Sequence, residues 1–138
     1  MAQPSTSDII EDLEFFDDWE ERYKYIIDLG EDMPKMAAQL QTQERIVKGC
    51  QSNVWIDVQP NGDKLSFTVD SDAIIVRGIL ALIMAAYNDK TASQILSFDI
   101  DQYFRLLDLE QHISPTRGNG LRAIVAKIQG IAKASNLT

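Results

Sequence analysis

Val54-Trp55-Ile56-Asp57-Val58-Gln59, then Pro60-Asn61-Gly62-Asp63, then Leu65-Ser66-Phe67-Thr68-Val69-Asp70: this stretch changes the period of the whole chain. Val54, Ile56 and Val58 alternate with a second side, the two-residue repeat of a half-buried strand. Leu65, Phe67 and Val69 repeat it, and the Pro60–Asp63 segment between them has turn composition. The pair predicts an antiparallel hairpin. Two strands alone are marginal in water, so a third strand or a helical cover is required. Arg45-Ile46-Val47-Lys48, just upstream, is the candidate third strand at one edge.

On both sides of the hairpin the period becomes helical. Upstream, Ser5-Thr6-Ser7-Asp8 caps a first helix along which Ile9, Leu13 and Phe16 recur. Asp18 and Glu21 open a second. Its Trp19, Tyr23, Ile26 and Ile27 share a face, and Gly30 supplies a C-terminal stop. Pro34 and the polar run Gln39–Glu44 read as turn and loop. Downstream, Asp72 is a candidate cap for a helix carrying Ile75, Ile79, Leu82 and Ile83, with Ile74 and Leu80 making it apolar almost all round. Thr91 and Gln94 form a capping box, and Tyr103, Phe104 and Leu107 mark a short helix after Asp99-Ile100-Asp101. Ser114-Pro115 starts the last helix, with Leu121, Ile124, Val125, Ile128 and Ile131 on it. The expected class is α+β, helices packed on a small, about three-stranded antiparallel sheet, in one domain over residues 1–138.

Composition narrows the function. Of 138 residues 45% are hydrophobic, enough for one core. The longest apolar run, Gly78 to Tyr87, is too short to cross a bilayer. Met1-Ala2-Gln3-Pro4-Ser5 has neither the basic residue nor the apolar stretch of an export signal, so a cytoplasmic protein is expected. A single cysteine forms no internal disulfide, which agrees with a reducing compartment. The net charge of −8 lacks the positive field that phosphate backbones need, so no nucleic-acid partner is expected. From Asp8 to Asp32 there are 11 acidic residues against Arg22 and Lys24. That segment is either a solvated helix face or an acidic docking surface for a basic partner.

Chemistry-bearing residues are few. With one histidine, His112, and one cysteine, Cys50, a four-ligand zinc site of soft donors is out of reach. Arg117-Gly118-Asn119-Gly120 is a helix opening that either offers free amides to an anion or is simply a flexible or close-packed start. Cys50 sits between Lys48-Gly49 and Gln51-Ser52-Asn53, just ahead of the hairpin, hence in a loop. A lone cysteine is ordinarily a small buried hydrophobe. In a loop with a lysine nearby it can instead be a reactive thiolate.

Gly49-Cys50-Gln51-Ser52-Asn53-Val54-Trp55 resembles the active loop of the SufE family of sulfur acceptors. The resemblance extends through Tyr23-Lys24-Tyr25-Ile26-Ile27-Asp28-Leu29-Gly30 and Pro34, through Asp70-Ser71-Asp72-Ala73-Ile74-Ile75-Val76-Arg77-Gly78, and through His112-Ile113-Ser114-Pro115-Thr116-Arg117-Gly118-Asn119-Gly120-Leu121. It implies a SufE/IscU-like fold and a sulfur-transfer accessory protein without a cofactor of its own. By that analogy a pyridoxal-phosphate cysteine desulfurase, SufS- or CsdA-like, passes a persulfide sulfur to Cys50 and is stimulated in doing so. The sulfur then goes to an iron–sulfur scaffold, SufB-like, or to another acceptor. Lys48, Gly49, Gln51 and Ser52 flank the cysteine. Asp72 is expected to set the loop's position or only to cap its helix, and His112 and Arg117 to fold over the loop. A persulfide is easily reduced or oxidised, so Cys50 is expected to turn inward when free and outward in the complex. Three other readings stand beside this one: an IscU-type cluster scaffold, a docking regulator that transfers no sulfur, and a free-standing enzyme with Cys50 as nucleophile and His112 as its base.

Overall fold

In the computed structural model, residues 4–50, 52–109 and 115–136 are described. Helices α1 (Thr6–Phe15) and α2 (Trp19–Asp32) precede the hairpin β1 (Val54–Asn61) and β2 (Lys64–Ser71). Helix α3 (Ile74–Tyr87) follows, then β3 (Lys90–Thr91), α4 (Ala92–Ser97), α5 (Ile100–Leu107) and α6 (Pro115–Asn136). The helices pack on one antiparallel sheet of order β1-β2-β3, the expected α+β class.

The hairpin register runs from Val54 opposite Ser71 to Asn61 opposite Lys64. Only Gly62 and Asp63 therefore make the turn, and Pro60 lies in the strand. Gly62 has φ +66°, the left-handed conformation that such a tight reversal asks of its first residue. Val54, Ile56, Leu65, Phe67 and Val69 are buried, as the alternation requires.

The third strand is not the one expected. Residues 45–48 contribute a single bridge, Ile46 opposite Trp55, on the β1 side. The true third strand is β3, paired with β2 through Lys64–Thr91 and Leu65–Lys90. Two residues of Lys and Thr carry no alternation, so nothing local marks them as strand. What holds them is the end of α3, where the Asn88 side chain accepts from Phe67 N at 2.7 Å and Asp89 N donates to Leu65 O at 3.0 Å.

Capping follows the sequence at Ser5–Asp8 and Thr91–Gln94, both reciprocal boxes, and at Asp18, which accepts from Glu21 N. Along α2 only Ile26 and Gly30 are buried, while Trp19, Tyr23 and Ile27 are half-buried. Gly30 does not end α2. It lies inside the helix and packs against Gly78 of α3, where a Cβ would stand 2.5 Å from Gly78 N. Conversely, a Cβ on Gly78 would meet Ile26 O at 2.5 Å. The two glycines let the backbones touch, which is why a glycine here reads as a stop but acts as a contact. The polar stretch read as loop forms two 3-10 turns, Ala38–Leu40 and Gln43–Arg45.

Helix α3 is the central buried element, with Gly78 to Met84 all enclosed, although Ile74 at its start is exposed. Ile100, Tyr103, Phe104 and Leu107 of α5 and Leu121, Ile124, Val125 and Ile128 of α6 belong to the same core, with Tyr103 Oη donating to Leu82 O at 2.9 Å. Among the described residues no helix is long and apolar enough to cross a membrane.

Candidate functional site

The loop carrying Cys50 is closed at its base by backbone. Val47 N donates to Val54 O at 2.8 Å, and Ile46 bridges Trp55. The arm leading in is tied to β1 by Arg45, whose Nε meets Asp57 Oδ1 at 2.9 Å. Its return is fixed at Asn53, which is gripped from both ends of the residue. Asn53 N and Nδ2 donate to the two carboxylate oxygens of Asp72 at 3.2 and 3.0 Å. Asn53 O accepts from Ser71 Oγ at 2.7 Å and from Asp72 N at 3.3 Å.

Asp72 thus holds the loop. It does not cap α3, whose N-cap is Ala73 with no side-chain cap bond. Of the two roles open to it in the sequence, the structure selects the first. The neighbouring Asp70 is buried, accepting from Met36 N and Ser71 N and pairing with Arg77. Arg77 in turn donates to the carbonyls of Gly30 and Met33 at 2.8 and 2.9 Å, satisfying the end of α2. A chain of polar contacts therefore runs from α2 through Arg77 and Asp70 to Ser71, Asp72 and the loop.

Between these anchors the chain turns at Gly49, φ +97°, a conformation only glycine takes without strain. A Cβ there would also press on Ala123 Cβ of α6 at 3.3 Å. The turn points Cys50 inward. Its thiol is half-buried against the core and donates to Gly120 O, Sγ to O 3.6 Å. A Cβ on Gly120 would face Cys50, at 3.5 Å from Sγ. Burial raises the thiol pKa above its ordinary value. The lysine effect expected from sequence is absent in this state: Lys48 is exposed and the thiol stays protonated.

The loop comes together with the hairpin-to-helix corner and with α6, three of the sequence blocks that carry the family resemblance. Lys48, Gly49, Ser52 and Asp72 all lie on or against it. Gln51 and His112 fall outside the described residues, and of Arg117 only its place in the first turn of α6 is described. Sequence reasoning missed Asn53, Ser71 and Gly120 as working parts. Each lies inside one of those blocks, but only contacts 18 or more residues apart reveal what they do. In the helix opening read as a possible anion site, Gly120 faces Cys50 and Asn119 is exposed. Among the described residues no group of three or more His, Cys, Asp or Glu is placed to hold a metal.

A family profile, SufE: Fe-S metabolism associated domain, matches residues 7–132. The chain belongs to the SufE family. An uncharacterised SufE-like protein of Rhizobium etli is 43% identical over 137 residues, covering 96% of this chain and 93% of its own. One from Rhizobium meliloti is 40% identical over 133 residues, covering 94% and 95%. A solution structure of a hypothetical protein from Thermus thermophilus superposes over the full length of both chains with TM-score 0.78 at 17% identity, a likeness of fold. Membership in this family associates the SufE-like chain with iron–sulfur metabolism, and it spans nearly the whole of the relatives it matches.

Proposed function

We propose that the protein is a sulfur acceptor and carrier acting through Cys50. A cysteine desulfurase of the pyridoxal-phosphate class, SufS- or CsdA-like, presents a persulfide. The Cys50 thiolate attacks its outer sulfur, one S–S bond forms as the donor's breaks, and the donor leaves as a thiolate that takes up the proton Cys50 gave. No outside oxidant or reductant enters. Relieving the donor of sulfur stimulates its turnover, and the Cys50 persulfide passes the sulfur on for cluster assembly, to a SufB-like scaffold or another acceptor.

The observation that carries this reading is the setting of the chain's one cysteine. Cys50 rides a loop pinned at its two ends by Val47–Val54 and by Asp72–Asn53. The thiol is turned onto α6 and burial favours its protonated form, which slows its reaction with water-borne oxidants. A visiting enzyme draws the loop outward, and exposure then lowers the pKa to where the thiolate forms. Lys48 and Ser52, two positions either side of the cysteine in the same loop, steady that charge once the loop moves; Gln51, His112 and Arg117 are proposed for the same neighbourhood on resemblance alone. The protein works in the cytoplasm. A cluster scaffold needs several thiolates, against the one here.

The test is to mix the protein with a cysteine desulfurase and cysteine and record intact mass. Cys50 gains one or more sulfur atoms, removable by reductant, and Cys50→Ser gains none. Unchanged stimulation of the desulfurase by Cys50→Ser would show a docking regulator instead. Turnover of cysteine by the protein alone would show a free-standing enzyme.

A further inference from the structure

Helix α6 carries a glycine that the reduced protein does not require. Within a helix glycine costs about 0.5–1 kcal/mol relative to alanine, so a buried one facing a neighbour usually marks a clash avoided. At Gly30 and Gly78 that is so, with backbone at 2.5 Å from the added Cβ. At Gly120 it is not. The nearest atoms to an added Cβ all belong to Cys50, with Sγ at 3.5 Å and Cα and Cβ at 3.8 Å, ordinary van der Waals contacts. Alanine would fit against the thiol.

It would not fit against a persulfide. The outer sulfur stands about 2.05 Å from Sγ. Along the present line from Sγ to Gly120 O, which is 3.6 Å long, it would lie within about 1.5 Å of that oxygen. The persulfide must therefore rotate about Cβ–Sγ, off the carbonyl. Beside the carbonyl on α6 is the bare Cα of Gly120. An outer sulfur swung to that side enters the space a methyl group would take, and the two cannot share it.

We propose that Gly120 is a positioning residue for the Cys50 persulfide: its missing side chain leaves the room in which the outer sulfur rests while the loop is turned inward. The inference rests on the sulfur-carrier reading above and deepens it. Gly118 and Gly130, in the same helix, face nothing within 4 Å among the described residues and have no such role.

Gly120→Ala, Gly130→Ala and the wild type are loaded with a desulfurase and cysteine, freed of both, and followed by mass as dithiothreitol strips the sulfur. Gly130→Ala controls for helix propensity. Gly120→Ala is expected to fold and to accept sulfur, then to lose it roughly tenfold faster than the other two, because an inward pose that must overlap a methyl is given up. Equal lifetimes in all three would overturn the role of Gly120 and leave the carrier reading standing. A wild type that never loads would overturn both. A second measurement needs no variant: amide exchange of residues 120–124 in the wild type before and after loading. Unchanged protection means the sulfur fits as proposed, and loss of protection overturns it.

Discussion

A thiol that is half out of water ionises later than a free one. For Cys50 the cause is burial, so the shift upward from the ordinary 9.0 belongs to the inward pose and disappears with it. Native Cys50 is therefore expected to react with iodoacetamide more slowly than the urea-unfolded chain at pH 8, with its rate rising at higher pH than that of the unfolded thiol. Stability follows with a definite sign. The native state keeps its proton longer than the unfolded state, so the contribution of the neutral thiol is intact below pH 9.0 and lost as pH rises through the folded value. Thermal melts of wild type and Cys50→Ser, at about pH 8 and about pH 10, should show the wild type losing ground to the variant at the higher pH. The sequence showed a lysine two positions away and suggested the opposite shift. Proximity along the chain says nothing about which way a side chain faces.

At the scale of elements, the loop and the α2–α3 crossing have separate supports. Asp72→Ala removes both donors' acceptor at Asn53 and leaves the backbone bridge at Val47 intact. The loop should open more often, and alkylation of Cys50 should rise roughly threefold to tenfold with little change in the melting curve. Gly78→Ala acts on packing instead. Its Cβ would meet the Ile26 carbonyl at 2.5 Å, backbone against backbone, so α2 and α3 must separate. A loss of about 2–3 kcal/mol or more in urea unfolding is expected, against a neutral or slightly stabilising Gly130→Ala. Helix positions, the hairpin and the caps at Ser5, Asp18 and Thr91 were legible because each depends on residues within a turn or two. Gly30 was misread as a helix stop for the same reason: within its own helix a glycine that ends and a glycine that touches look alike.

Across the whole molecule one buried ion pair joins the N-terminal helices to the sheet and, through it, to the loop. Arg77 and Asp70 are both largely out of water, and Arg77 also satisfies two carbonyls of the α2 end. Arg77→Met leaves the Asp70 carboxylate buried with its cation gone and should cost about 3–5 kcal/mol in denaturant unfolding. Restoring a neutral partner set with Asp70→Asn in the same chain should recover part of that loss. Neither residue announced this role in sequence, since their partners at Gly30, Met33 and Met36 lie more than 30 positions away. By itself the sequence determined the α+β class, the hairpin, most of the helices and the loop position of the single cysteine, because hydrophobic period, capping and residue type are local properties. Only the tertiary structure decided that β3 and not residues 45–48 completes the sheet, that Asp72 grips Asn53, and that Cys50 rests against Gly120. Those are matters of which distant surfaces meet, and that is settled by burying the whole core at once.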